Sequence, residues 1–237
     1  MSLKNNYEKV GEELFRYRSY FPLVMFPIII YDIIFNNINI NYSSTLILGI
    51  ITSYIGEIIR ILTIAFIFEG TSGRNTKTQF ATKLNTTGIY SIVRHPLYLG
   101  NYFILLGPCI FTGNINIIII YTLSFWLYYE RIMFAEEKYL ENKFNHEFNN
   151  WTTKVPAFIP NIKLYLKPKG TFSFKRVIEH EYTGILGIII MYSILLMSQN
   201  YKFDNYIHLS KLWNMLLVLT ILMFIIIRTY KKIIRLK

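Results

Sequence analysis

Six apolar blocks, separated by segments that hold nearly all of the charge, constrain this chain more than any other feature. They run over Phe21–Phe35, Leu46–Phe68, Leu97–Thr112, Ile115–Tyr129, Tyr182–Ser198 and Leu212–Ile227. The second block alone reaches the roughly 20 residues of an upright membrane-spanning helix. The others extend into flanking Tyr, Trp and Asn, or thin the bilayer locally. Alternation at period two is absent, which argues against a membrane β-barrel, and there is no internal repeat. The expected architecture is all-α: a polytopic membrane helical bundle of five to six transmembrane helices. Composition agrees, since charged residues make up 16% and hydrophobic ones 53% of the chain, against about a quarter charged in ordinary soluble domains.

The charge that remains is informative by its position. The formal net charge is +11, yet the basic residues lie between apolar blocks and form no separate basic domain. An anionic membrane surface accounts for them better than nucleic acid does. Counted segment by segment, Lys plus Arg number four before the first block (Lys4, Lys9, Arg16, Arg18) and none in the next loop. Four follow in the second loop (Arg74, Lys77, Lys83, Arg94), none at Gly113–Asn114, nine in 130–180, two in the next loop (Lys202, Lys211), and five from Arg228 to Lys237. Rich and poor segments alternate throughout. By the positive-inside rule, both termini and the two long loops are cytoplasmic, in the inner membrane of a bacterium. Glu8, Glu12 and Glu13 precede the first block, a pattern unlike a cleavable signal peptide. The single cysteine, Cys109, excludes an intramolecular disulfide and a multi-cysteine metal site.

Three regions are expected: 1–70 with the N-terminal segment and first two membrane helices, 71–160 as the core, and 161–237 as a basic linker with two further membrane helices. Polar chemistry concentrates in two segments of the core. The first reads Gly70-Thr71-Ser72-Gly73-Arg74-Asn75, Leu84-Asn85-Thr86-Thr87-Gly88-Ile89-Tyr90 and Arg94-His95-Pro96-Leu97-Tyr98-Leu99-Gly100. The second carries Glu130-Arg131 and Glu136-Glu137. It continues as an amphipathic helix through Phe144, Phe148 and Trp151 to Val155-Pro156, with a further break at Pro160.

The run from Gly88 to Gly100, two spans, Glu136-Glu137 and then Val155-Pro156, in that order and spacing, resembles the isoprenylcysteine carboxyl methyltransferase family and its phospholipid methyltransferase relatives. The resemblance covers about residues 45–160. Among bacterial members, Phe15-Arg16-Tyr17-Arg18-Ser19-Tyr20 and Thr71-Ser72-Gly73-Arg74-Asn75 are similar to lipid A phosphate methyltransferases. The resemblance implies S-adenosylmethionine as cofactor, in a pocket at the cytoplasmic face. Tyr90 and the turn His95, Pro96, Leu97, Tyr98 would hold it. Thr82, Lys83, Leu84 and Asn85 would supply backbone contacts to its nucleoside end. Glu136 or Glu137 would take its polar groups. The family's substrate-binding arginine falls on Ile132, with Arg131 one position off; this departure points to a lipid other than isoprenylcysteine. Arg94 and Arg131 are the candidate catalytic cations.

The residue chemistry is compatible. A methyl sulfonium tolerates carboxylates and aromatic faces around it. Methyl transfer is an in-line displacement in which positioning dominates. A phosphate or carboxylate acceptor is anionic at neutral pH and needs a cationic clamp, whereas an amine needs a base. His95 is the one evident base, which favours O-methylation of an anionic group on a membrane lipid. The glycine-rich strand–helix turn of soluble nucleotide-binding folds is missing.

Simpler readings coexist with these. Glu136 and Glu137 also read as a solvated helix face, Arg94 as a lipid-headgroup contact and Arg131 as an interfacial anchor. Glu57 and Arg60, three apart in the second block, are functional candidates as intramembrane charges, or a structural pair facing the bundle. His180, His146 and His208 lack a matching ligand cluster and read as packing, so no metal is expected. Outside this family, a membrane sterol-type reductase using a nicotinamide cofactor and a non-catalytic transporter or scaffold are the competing classes.

Overall fold

The computed structural model describes residues 3–36, 42–68 and 81–235. The Gly70–Asn75 motif, Lys77 and the boundary expected at 70/71 lie outside them. Eight helices follow one another: α1 Leu3–Tyr17, α2 Phe21–Phe35, α3 Tyr42–Phe66, α4 Pro96–Phe111, α5 Ile115–Phe144, α6 His146–Thr152, α7 Phe174–Asp204 and α8 Lys211–Arg235. The described residues contain no strand, only an isolated antiparallel bridge between Gly88 and Leu166.

Five helical units are long and apolar enough to cross a membrane: Leu3–Phe35, Ser43–Phe66, Ile115–Phe144, Phe174–Asp204 and Lys211–Ile233. The expected third span, α4, has 16 residues, or about 24 Å at 1.5 Å per residue, against a hydrocarbon core of about 30 Å. The helical fold, the five long spans and the short α4 together fit the five-to-six reading, and define an integral membrane protein.

The first apolar block is entered through a helix that hydrophobicity alone does not reveal. A short 3₁₀ turn at Arg18–Tyr20 joins α1 to α2. Along α2, Phe21, Met25, Ile29 and Ile33 recur every four residues and form its buried face. α1 lies against α5, and the approach is close at Gly11. A Cβ there would stand 2.1 Å from the Arg131 carbonyl oxygen.

Helices α3 and α4 meet along a seam of small residues. A Cβ on Gly56 would lie 2.4 Å from the Gly100 carbonyl oxygen, and one on Gly107 would lie 2.1 Å from Ser53 Oγ. In lipid, where apolar burial between helices contributes little, such backbone proximity supplies much of the packing energy. Ser53 seals the seam: its hydroxyl donates to the Ile104 carbonyl at 2.8 Å and sits 3.0 Å from the Tyr192 hydroxyl of α7. Gly56→Leu is expected to abolish the contact, since no flexible side chain can yield there. The check is the recovery of monodisperse protein in detergent; a yield and melting midpoint equal to wild type would refute the seam's role.

The α4–α5 hairpin turns at Gly113, with φ 65°, and Asn114 caps α5 by accepting from the Asn116 amide at 3.0 Å. α5 runs for 30 residues and breaks at Asn145, φ 40°. The sequence suggests one amphipathic helix through Phe144, Phe148 and Trp151. Instead Asn145, a residue that tolerates the left-handed region, divides it, and α6 follows as a separate short helix.

Contacts define two ends of the bundle. At one, Asn114 and Asn36 donate to Asp32 at 2.7 and 2.9 Å, and Lys202 donates to the Asn36 carbonyl. At the other, α1 meets α5, Lys231 donates to the Glu179 carbonyl at 2.6 Å, and the Ser173 amide donates to Ala65 at 3.0 Å. The lysine- and arginine-rich segments converge at this second end.

Candidate active site

The site is built where two irregular stretches pair at the charged end. Gly88, at φ 65°, opens a 3₁₀ turn over Ile89–Ser91. The Ser91 hydroxyl donates back to Gly88 at 2.7 Å and accepts from the Leu166 amide at 2.9 Å. The next residues run beside the Val155–Asn161 stretch. The Arg94 amide donates to Pro156 at 2.9 Å, the His95 amide to Ala157 at 3.1 Å, and the Asn161 amide to Ile92 at 2.9 Å. Pro156 and Pro160 have no N–H, so in this pairing they can only accept. Pro96 then starts α4, where its missing donor costs nothing.

This pairing aims Arg94, His95 and Tyr98 at the two carboxylates of α5. The Arg94 guanidinium binds Glu137 bidentately, Nε to Oε1 at 2.9 Å and Nη2 to Oε2 at 3.2 Å. Its Nη1 donates to the Thr152 and Val155 carbonyls at 3.1 and 3.2 Å. His95 bridges the pair, with Nε2 2.9 Å from Glu137 Oε1 and Nδ1 3.5 Å from Glu136 Oε2. The Tyr98 hydroxyl donates to Glu136 Oε1 at 2.7 Å, and its ring stacks on His95 with centroids 5.7 Å apart. Arg94 is thus tied down on every side and acts as a brace. Glu136 and Glu137, which charge pattern alone would leave on a solvated face, are drawn into a shared cluster.

His95 is buried, and burial by itself favours the neutral ring. The Glu136 and Glu137 carboxylates outweigh burial and raise its pKa above the ordinary value. The sign follows: the stabilisation from a charged His95 is complete below about pH 6.5, its unfolded value, and is lost as pH rises through the raised folded value. His95→Gln should therefore lower the melting midpoint more near pH 6 than near pH 9, two points chosen to bracket that value. A gap independent of pH would contradict a charged His95. Tyr90 is held protonated by burial and by the Glu136 charge, with Arg60 opposing.

The remaining sequence-derived positions divide. Leu84 and Tyr90 come together with Phe148, Trp151 and Val155 in one apolar cluster, and the Trp151 indole donates to the Tyr90 carbonyl at 3.0 Å. Asn85 accepts from the Phe68 amide at 3.4 Å, and Lys83 lies over the Phe68 ring, 4.3 Å from its centroid. Thr82 is exposed, and Leu97 is half-buried. Arg131 is not brought to the cluster. Its guanidinium lies over Tyr7 of α1, 5.1 Å from the ring centroid, and donates to Leu127 of its own helix. Five residues separate it from Glu136, which is about 140° around a helix, whereas Ile132 shares the Glu136 face. Ile132 itself is fully buried.

Sequence reasoning singled out Arg60 of a second polar group but missed its partners. Arg60 pairs not with Glu57 but with Glu181 of α7, Nη2 to Oε1 at 2.9 Å and Nε to Oε2 at 3.0 Å. Its Nη1 donates to Asn101 Oδ1 at 2.7 Å. A polar Asn101 inside an apolar block was the available signal.

Fold and site together define a polytopic helical membrane protein with a partly buried, carboxylate-rich polar centre at its charged end. Residues 33–147 match the phospholipid methyltransferase family model. The chain is 31% identical over 127 residues to the nickel-cobalt-cadmium resistance protein NccN of Alcaligenes xylosoxydans, covering 52% of this chain and 58% of that one. It is 35% identical over 94 residues to the cobalt-zinc-cadmium resistance protein CzcN of Cupriavidus metallidurans, 40% of this chain and 41% of that one. The protein-S-isoprenylcysteine O-methyltransferase of Schizosaccharomyces pombe is 35% identical over 79 residues, 33% of this chain and 34% of that one. The matches thus span little more than half of these relatives at most. No solved structure matches the chain. Among the described residues, no group of three or more His, Cys, Asp or Glu could hold a metal ion.

Proposed function

We propose that this protein is an S-adenosylmethionine-dependent methyltransferase that O-methylates an anionic group, phosphate or carboxylate, on a membrane lipid. The observation that carries the reading is the convergence of Glu136, Glu137, His95 and Tyr98 beside Tyr90 and Tyr129. Carboxylates and aromatic faces suit a sulfonium and an ammonium; Arg94 takes up Glu137 and leaves Glu136 with Tyr98 and the longer His95 contact. The donor set therefore fits the cofactor. Glu136, whose Oε2 keeps only a 3.5 Å contact to His95, would take the ammonium, and Tyr90 and Tyr98 would flank the sulfonium. When bound, the cofactor supplies a methyl carbon that passes to the acceptor oxygen as the C–S electron pair returns to sulfur, leaving a neutral thioether and an acceptor one negative charge poorer. The chain's own residues orient and exclude water: Arg94 braces the 152–155 turn against Glu137, and Leu84, Phe148 and Trp151 close the apolar side.

Purified protein in detergent tests the reading by calorimetry, against S-adenosylmethionine and reduced nicotinamide dinucleotide in parallel. Binding of the first supports it; binding of the second alone, or of neither, overturns it. Lipids labelled from methyl-labelled cofactor then report the acceptor. Mild alkali releases the label from a carboxyl ester but not from an N-methyl group.

The charged end is assigned to the cytoplasm by its excess of Lys and Arg. Reporter fusions after Lys169 and at Lys237 are both expected to give cytoplasmic signals, and an external signal at either refutes this orientation.

A further inference from the structure

Arg60 is the basic residue that no connecting segment accounts for. It lies in α3, six residues before that helix ends at Phe66, or about 9 Å along the axis at 1.5 Å per residue. A guanidinium at this depth is costly and marks a functional position. Its stem crosses α4 where a side chain is missing: a Cβ on Gly100 would stand 2.4 Å from Arg60 Cγ. The fork is then fixed on two sides, by Glu181 at 2.9 and 3.0 Å and by Asn101 at 2.7 Å. Glu181 is 2% exposed and Arg60 20%.

Of the five N–H groups of a guanidinium, these bonds use three. One on Nη1 and one on Nη2 remain at the outer edge of a fork held on two sides. That edge lies beside the site already described: Asn101 stands three residues from Tyr98 on the same face of α4, and Tyr98 donates to Glu136. Paired N–H groups on a guanidinium match the two oxygens of a carboxylate or phosphate. Because Glu181 already balances the Arg60 charge, an anion would be held at this edge by directed hydrogen bonds and not by net charge. Methylation removes one negative charge from the acceptor, which weakens those bonds and favours release of the product.

We propose that the outer N–H groups of Arg60 receive the anionic oxygen of the lipid acceptor, and that Glu181, on the first helix after the family-matched segment, is the positioning residue that fixes the fork. This assignment rests on the methyl-transfer reading above.

The test uses the full chain in nanodiscs made from the polar lipid extract of its own source, diluted with phosphatidylcholine to vary acceptor content. Methyl incorporation into lipid and calorimetric affinity for S-adenosylmethionine are measured together. Arg60→Gln, Arg60→Lys and Glu181→Gln are each expected to lower kcat/KM for lipid about 10- to 100-fold, the worth of a lost charge-assisted contact, with cofactor affinity unchanged. The exchange of Arg60→Glu with Glu181→Arg should restore the melting midpoint but not lipid turnover. Turnover restored by that exchange, or unaffected by Arg60→Gln, overturns the proposal, as does a parallel fall in cofactor affinity and stability, the mark of a packing pair. Wild-type protein that neither binds the cofactor nor labels lipid overturns the methyl-transfer reading itself, before any variant is compared.

Discussion

Alanine at His95 or at Glu136 is expected to weaken S-adenosylmethionine binding about 10- to 150-fold, roughly 1.5–3 kcal/mol for one charge-assisted hydrogen bond, while the chain still inserts and folds. Each of these residues holds the cluster by a few contacts. Glu136 accepts from Tyr98 at 2.7 Å and faces His95 at 3.5 Å, so its removal leaves Arg94 and Glu137 in place. Glu137→Ala should behave differently. It takes the shared carboxylate from both Arg94 and His95, and leaving a partly buried guanidinium without its partner costs about 3–5 kcal/mol. Its melting midpoint should fall together with binding, whereas the midpoints of His95→Ala and Glu136→Ala should move less. Calorimetry and thermal unfolding of the three variants decide the matter. Unchanged affinity in both His95→Ala and Glu136→Ala would remove the candidate pocket.

What is legible in the sequence follows from how local each feature is. The spans α2, α3, α5, α7 and α8 show as apolar blocks because every residue facing lipid must be apolar. The α4–α5 turn shows at Gly113–Asn114, where Gly113 takes a positive φ and Asn114 caps α5. The Arg94–His95–Pro96 entry to α4 is readable because proline opens a helix and the charges stop there. Helix α1 is harder: its exposed Glu8, Glu12 and Glu13 hide a face that only acquires meaning against α5. The break at Asn145 is invisible because aromatic spacing continues across it through Phe144, Phe148 and Trp151. Arg131 shows the limit of spacing on a helix, since a shift of one residue rotates a side chain by about 100°. The Arg60–Glu181 pair joins residues 121 apart, and no local pattern announces a partner at that distance.

The C-terminal hairpin lies beyond the matched segment, yet its two helices are not equivalent, and truncation should separate them. α7 is part of the core: Ile188, Tyr192 and Leu195 are buried, Tyr192 closes the α3–α4 seam through Ser53, and Glu181 neutralises Arg60. α8 has none of its apolar window buried and presents Leu212, Met215, Leu219 and Ile226 outward. Its inward ties are few, among them the Trp213 indole donating to Ser193 at 2.8 Å and Lys231 donating to Glu179 at 2.6 Å. A chain ending at Tyr206 should therefore insert, keep its cofactor affinity and lose only a modest part of its thermal stability. A chain ending at Asn161 loses the Glu181 carboxylate, and a guanidinium stranded in α3 alone costs about 3–5 kcal/mol. That is a large share of a total stability of about 5–15 kcal/mol, before the loss of Ile188, Tyr192 and Leu195 is counted. The longer truncation is expected to yield aggregated or degraded protein, measured by size exclusion in detergent and by cofactor binding to whatever is monodisperse. If the chain ending at Asn161 is monodisperse, binds S-adenosylmethionine and labels lipid at the wild-type rate, then α7 is an anchor only, and the positioning role of Glu181 fails with it.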